Sequence, residues 1–183
     1  YYALLIYPIM LALIVLAGPI LSIFFGNKWV DTKVPLRILA VAVLINVVTS
    51  SYNLLFRSIG RPRLEMKILL FILIFATLPS VSIGGYYYGT RGVAYGILIS
   101  AIINFFVVMT LLNKYFGITF WSVLKQVAPT IVAFILTFIL IVSLFLHTII
   151  HPLFLLVLLF VVYFTICTFF YKSDIKRLFQ NRG

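Results

Sequence analysis

The chain has 183 residues, of which 64% are hydrophobic and only 9% are charged, and its formal net charge is +11. A soluble domain carries about 25% charged residues, so this composition excludes an ordinary soluble protein and indicates an integral membrane protein. The basic residues lie between the apolar runs or near their ends and form no continuous stripe of the kind that binds nucleic acid. We therefore expect membrane lipid, and no nucleic acid, as a partner.

Six apolar runs are each long enough to cross the roughly 30 Å hydrocarbon core as a helix. In chain order they are Tyr1–Phe25, Val34–Phe56, Met66–Tyr88, Val93–Asn113, Val127–Leu146 and Leu153–Tyr171. The sequence thus predicts an all-α, polytopic transmembrane bundle of six helices. Four helices occupy residues 1–114, an interfacial helical segment occupies 115–126, two more helices occupy 127–171, and a basic tail occupies 172–183.

Prolines and glycines predict where the helices of this bundle bend or end. Pro8 and Pro19 both fall inside the first span, and because a proline removes a backbone hydrogen bond, we expect Pro8 to bend that helix or to weaken its backbone ladder. A glycine-rich turn is predicted over Gly84–Arg91, between the third and fourth spans. In the interfacial segment, Phe120 and Trp121 are set against Lys125, which is typical of a short helix lying on a membrane surface.

The fourteen basic residues divide unequally between the two sides of the predicted membrane. One side carries ten: Arg57, Arg61, Arg63, Lys67, Lys114, Lys125, Lys172, Lys176, Arg177 and Arg182. The other carries four: Lys28, Lys33, Arg37 and Arg91. Because cytoplasmic loops hold the excess of Lys and Arg, we predict that the ten-residue side and the C-terminus are cytoplasmic. Arg61, Arg63 and Lys67 are interpreted as topology anchors, with a weak, exposed pair between Glu65 and Arg61.

One face of the second span is polar. Asn46, Ser50, Asn53 and Arg57 are spaced by four, three and four residues, which places them within about 60° of one another on a helix. Two readings remain open. The polar side chains could bond neighbouring helices, or they could line a water-filled cavity that Arg57 guards.

Small residues recur every fourth position in the fourth span, at Gly92, Gly96 and Ser100, followed by Asn104. Small residues at this spacing let two membrane helices approach closely. We predict that this face packs against another helix.

Catalytic and metal-binding patterns are weak. The acids Asp31, Glu65 and Asp174 all fall outside the spans, and the single cysteine, Cys167, cannot form an internal disulfide. His147 and His151 are four apart, but no acid or cysteine accompanies them on the same side in this region of the chain. We therefore expect no enzyme, no cofactor and no metal site.

Five short motifs occur in order: FFGNKW, VPLRILA, RSIGRPRLEMKI, GTRGVAYGILIS and YFGITFW. Together they resemble the C-terminal part of bacterial polysaccharide exporters, the polysaccharide transporter branch of the multidrug/oligosaccharidyl-lipid/polysaccharide exporter superfamily. The likeness is closest to colanic-acid-type exporters. It covers Tyr1–Gln126, and the last two spans match only as apolar helices.

The resemblance implies a two-lobed exporter of twelve or fourteen helices in the bacterial inner membrane. This chain would be most of the second lobe, and the missing N-terminal lobe would be its partner. The implied substrate is a polyprenyl-diphosphate-linked oligosaccharide, flipped across the membrane by alternating access. Arg57 would then meet the diphosphate, and Asn53, Ser50 and Asn46 the sugars.

Two alternatives stay open. One is a drug or metabolite antiporter of the same superfamily, against which the lack of an acid within the spans weighs. The other is a non-transporting membrane scaffold of a polysaccharide synthesis complex.

Overall fold

The structure is a computed structural model that describes residues 2–58, 62–147 and 157–165. Several predictions concern positions outside these ranges, namely Arg61, His151, Cys167, the tail 172–183 and most of the sixth span. For Asn53 and Arg57 the helical backbone is described, whereas their side chains lie outside the description.

All regular elements in the described ranges are helical. They are α1 (Tyr2–Val15), α2 (Ala17–Phe24), a 3-10 helix (Asn27–Thr32), α3 (Lys33–Ser58), α4 (Pro62–Ile72), a π-helical turn (Leu73–Thr77), α5 (Leu78–Phe116), α6 (Phe120–His147) and α7 (157–165). The predicted all-α class is therefore confirmed for the part of the chain that the structure describes.

Two segments of the described chain are long and apolar enough to cross a membrane, Asn27–Ser50 and Glu65–Phe116. A third crossing is reached if the bent pair Ile6–Val15 and Ala17–Phe24 counts as one span. These helices are compatible with membrane insertion. A bundle of six spans is not confirmed.

The first apolar run is broken, and the break is not at Pro8. Pro8 lies inside α1, which remains helical around it, whereas the chain bends by 88° between α1 and α2, at Leu16. Pro19 explains this position, because its ring cannot donate a backbone hydrogen bond and clashes with the carbonyl four residues earlier, that of Val15. Helix α1 thus stays continuous at Pro8, and the 88° break lies near the second proline.

Helix α5 is a hairpin of two arms, residues 78–88 and 90–116, which meet at Gly89. Gly89 has φ 57° and ψ −139°, outside the helical region and accessible at little cost only to glycine. The arms run antiparallel, because the backbones of Gly84 and Gly92 are in contact and Gly96 lies against Ser80. The predicted glycine-rich turn is therefore shorter than Gly84–Arg91, and Gly84 serves the packing of the arms.

Helix α1 lies at the centre of the described core. Tyr7 packs with Val47 of α3, Ala133 of α6 and Tyr163 of α7. One turn further along α1, Leu11 and Ala12 form a second cluster with Leu159 of α7. A third cluster joins the second arm to the start of α6; it contains Val108, Met109, Leu112 and Val123.

The contacts also give the helix directions. Tyr7 packs near Val47 while Arg37 reaches Val15, so α3 runs antiparallel to α1. Leu159 and Tyr163 of α7 pack near Leu11 and Tyr7 respectively, so α7 also runs antiparallel to α1. Helices α3 and α7 therefore both run in the direction opposite to α1.

The predicted interfacial helix is not a separate element, because residues 120–126 form the first two turns of α6. Val123 is buried in the third cluster, and the ring of Phe120 meets that of Phe105 edge-on at 6.3 Å. These contacts hold the start of α6 against the second arm.

Candidate functional site

The predicted site lies on α3, whose helix is continuous from Lys33 to Ser58. Continuity matters, because four residues spaced by four, three and four share one face only if no break intervenes. Asn46, Ser50, Asn53 and Arg57 therefore occupy one face of α3, along about 16 Å of helix.

The two side chains of this set that the structure describes differ in burial. Ser50 is exposed and Asn46 is half-buried, whereas the neighbouring Thr49 is 1% exposed. The Ser50 hydroxyl donates to the Asn46 carbonyl at 2.7 Å, and the Thr49 hydroxyl donates to the same oxygen at 3.0 Å. Serine in membrane helices commonly satisfies its hydroxyl in this way. Ser50 thus makes this bond within its own helix.

The exposed Ser50 lies on α3 between two buried positions, Val47 about 60° to one side and Thr49 about 100° to the other. Val47 is buried against α1, α6 and α7, and Val48 packs on the third cluster with the second arm. Ser50 lies two positions after Val48, about 200° around the helix, and is left uncovered. Because α3 is continuous, the helical spacing places Asn53 and Arg57 on the same side of the helix as Ser50. We call the face defined by Asn46, Ser50, Asn53 and Arg57 the polar face of α3.

The basic residues interpreted as anchors lie near the start of α4. Arg63 and Lys67 are both exposed there, as the interpretation requires, and Arg61 falls outside the described residues. Their exposure leaves them free to meet solvent or lipid headgroups.

Glu65 differs from its prediction, because it is only 6% exposed and is engaged in an electrostatic or hydrogen-bonding interaction. The sequence predicted that Glu65 and Arg61 form a weak pair at an exposed position, and the burial of Glu65 shows that the predicted exposure is wrong. Glu65 shares the buried stripe of its helix with Ile72 and Ala76, seven and eleven residues later. Their shared face could not be recognised from sequence, because apolar residues occur on every side of this segment, although the first turn of a helix favours an acid.

A polar cluster lies between the arms of the hairpin. The hydroxyls of Thr77 and Ser100 are 2.6 Å apart, and Thr77 also donates to the Ile72 carbonyl at 3.3 Å, across the π-helical turn. One turn beyond Ser100, the Asn104 side-chain oxygen is buried and has no donor among the described residues. The small-residue face predicted for the fourth span is confirmed as a packing face, since its glycines contact the facing arm.

Metal-binding groups are not found within the described ranges, where no three His, Cys, Asp or Glu side chains come together to hold an ion. His147 is the last residue of α6, and His151 lies beyond the description. The chemistry that the described side chains of the site offer is therefore polar contact, from the Ser50 hydroxyl and the Asn46 amide.

Comparison with known proteins finds no matching protein-family model, no matching curated protein and no matching solved structure. The resemblance to polysaccharide exporters therefore stays a prediction.

Proposed function

We propose that this chain belongs to a membrane transporter that flips a polyprenyl-diphosphate-linked oligosaccharide across the bacterial inner membrane by alternating access. In this proposal it forms six spans of the second lobe of a two-lobed exporter, with the C-terminus in the cytoplasm. The observation that carries the proposal is the uncovered polar face of α3, where Ser50 is exposed and Asn46 half-buried among strongly apolar helices.

A polar helix face at membrane depth is costly against lipid, because hydrocarbon offers no hydrogen-bond partners. Ser50 satisfies its hydroxyl within the helix, but the amide of an asparagine has two donors and an acceptor to satisfy. Such a face is expected to meet water or another polar surface. A cavity between two lobes would supply both, and in this proposal an N-terminal lobe of the exporter forms its other wall.

The substrate class follows from what such a cavity could accept. A sugar headgroup needs a wet, polar path across the hydrocarbon core, whereas its polyprenyl tail can remain in lipid. Arg57 lies near the end of α3, about 16 Å along the helix from Asn46. A guanidinium binds phosphate oxygens with paired, charge-assisted hydrogen bonds, which suits the diphosphate that joins sugar and lipid.

Thiol accessibility tests the cavity directly. In the full-length protein on a cysteine-free background, Ser50→Cys is expected to react with a membrane-impermeant thiol reagent. Val41→Cys is the matched control, because Val41 is 38% exposed but lies on the opposite side of α3. Only hydrated thiols react, so Val41→Cys should stay unmodified. Protection of Ser50→Cys under every transport condition, or equal labelling at both positions, would refute the cavity.

Transport tests the substrate. Deleting the full gene should leave lipid-linked repeat units on the cytoplasmic leaflet, and Arg57→Ala should reduce export without reducing membrane insertion. Arg63→Ala is the control, since Arg63 is exposed at the start of α4 and off the polar face of α3. Normal surface polysaccharide in the deletion strain, or equal export by the two variants, would contradict the proposal.

A cation-coupled drug or metabolite antiporter is the second candidate, and one observation favours it. Glu65 is a buried acid at the first residue of a span-length segment, so the objection that every acid lies outside the spans loses force. Proton-driven drug efflux that is lost in Glu65→Gln, with surface polysaccharide unaffected by gene deletion, would select the antiporter.

A further inference from the structure

The break between α1 and α2 is local. On either side of it the helical ladder continues, because the Leu16 N–H donates to the Ala12 carbonyl at 2.8 Å and the Ile20 N–H to the Leu16 carbonyl at 2.9 Å. Leu16 itself leaves helical geometry, with φ −99° and ψ 19°. The 88° bend is therefore concentrated at one residue.

Pro19 deprives one carbonyl of its helical partner. In an α-helix the Val15 carbonyl would accept the N–H of residue 19, and proline has none. An unsatisfied carbonyl is unfavourable in an apolar medium, and broken membrane helices persist where a neighbouring group takes over the lost bond.

Arg37 occupies the position of that neighbouring group. Its Nη2 lies 3.4 Å from the Val15 oxygen, a long contact that bridges 22 residues of sequence between α3 and the end of α1. The contact joins two favourable effects. The guanidinium is a charged donor to an orphaned acceptor, and it lies at a helix C-terminus, where the helix dipole favours a cation.

We infer that Arg37 is a positioning residue that replaces the backbone donor missing at Pro19 and so holds α2 at a right angle to α1. The inference concerns the conformation of the chain and does not rest on the proposed transport function. Helix α2 then lies across the end of α1, followed by the 3-10 helix that leads into α3.

The position of Arg37 also affects whether the freed Val15 carbonyl can bind an inorganic cation. Broken helices in membrane transporters often use their free carbonyls to bind Na⁺. Here the Arg37 guanidinium lies 3.4 Å from the freed Val15 carbonyl, and its positive charge disfavours an inorganic cation at that oxygen.

The experiment measures the distance between spin labels at Ile23 of α2 and Val43 of α3, both exposed, in the cysteine-free full-length protein in lipid nanodiscs. Arg37→Gln is expected to broaden or shift the distance distribution, by up to about 15 Å if α2 swung fully into line with α1. Arg37→Lys, which keeps a charged donor, should restore much of the native distribution. Arg91→Gln, which removes another exposed arginine, is the control and should change nothing.

Pro19→Ala provides the decisive comparison, because it returns an N–H to position 19. In that background Arg37→Gln should have no further effect on the distance distribution. An unchanged distribution in Arg37→Gln alone, or an equal effect with and without Pro19, would overturn the inference. If Arg37→Gln alone yields no folded protein, recovery of folded protein in the double variant supports the inference, and failure to recover it refutes it.

Discussion

Gly96→Ala is expected to destabilise the hairpin, because it places a methyl group between two backbones that are in contact. A Cβ at position 96 would lie 2.5 Å from the Ser80 oxygen and 2.8 Å from the Val81 nitrogen. Both are main-chain atoms, which cannot rotate away as the end of a side chain can. The arms themselves must therefore separate.

The size of the effect follows from that separation. Ordinary contact begins at 3.4 Å, so the arms must part by about 0.9 Å near Ser80. Overpacking of this kind costs about 1–3 kcal/mol. The 2.6 Å hydroxyl contact between Thr77 and Ser100, one turn away, would lengthen as well, and such bonds in membrane proteins contribute about 0.6 kcal/mol. Replacing a helical glycine by alanine returns about 1 kcal/mol, so we expect a net loss of about 1–2 kcal/mol.

Gly85→Ala is the matched control, because Gly85 lies in the same hairpin but its Cβ would meet only the end of the Val93 side chain, at 3.2 Å. Thermal unfolding of the purified full-length protein in nanodiscs should show Gly96→Ala melting about 5 °C below the parent, on the scale of about 2–4 °C per kcal/mol. Gly85→Ala should melt at or slightly above the parent temperature. Equal melting temperatures for the two variants would refute the packing argument.

Two further substitutions test buried polar groups by the same measurement. Glu65→Gln should lower the free energy of unfolding by about 1.5–3 kcal/mol, because it disrupts the interaction of a buried carboxyl group. Asp31→Asn is the control, because Asp31 is exposed, and it should change the free energy of unfolding by no more than about 0.5 kcal/mol. Comparable losses in the two variants would show that the burial of Glu65 is unimportant. Asn104→Leu should leave stability unchanged or raise it by about 1–2 kcal/mol, because it removes a buried side-chain oxygen that has no donor among the described residues. Ser100→Ala should lower stability by about 0.6 kcal/mol, because it removes the hydroxyl contact with Thr77. A larger loss in Asn104→Leu than in Ser100→Ala would contradict this reading.

The features that could be predicted from sequence are those with a local cause. The second apolar run, Val34–Phe56, falls inside α3, and the fourth, Val93–Asn113, falls inside the second arm of the hairpin. Hydropathy is a property of neighbouring residues, so it marks such helices well. The packing face of Gly92, Gly96 and Ser100 could be predicted for a similar reason, because residues spaced four apart lie on one side of a helix.

The features that escaped prediction depend on contacts between distant residues. Pro8 and Pro19 look alike in sequence, but only Pro19 coincides with the break, where Arg37 of another helix meets the freed carbonyl. The burial of Glu65 likewise depends on which face of α4 meets its neighbours. The polar face of α3 could be predicted from the sequence pattern, whereas the exposure of Ser50 beside the buried Val47 and Thr49 could be learned only from the packing.

Helix α3 has a tightly packed side and an uncovered side, and this asymmetry bears on how a transporter built from it could move. Its packed side meets α1 and the second arm, which is itself held to the first arm by backbone contacts at Gly92 and Gly96. Close backbone packing resists small displacements, because interiors are as dense as organic crystals. Under the proposed function, motion between the two access states is therefore expected to occur between the polar face of α3 and the opposing lobe, with the hairpin moving as a rigid unit. Labels placed on the two arms should then keep one distance in every transport state, while labels across the polar face should report two.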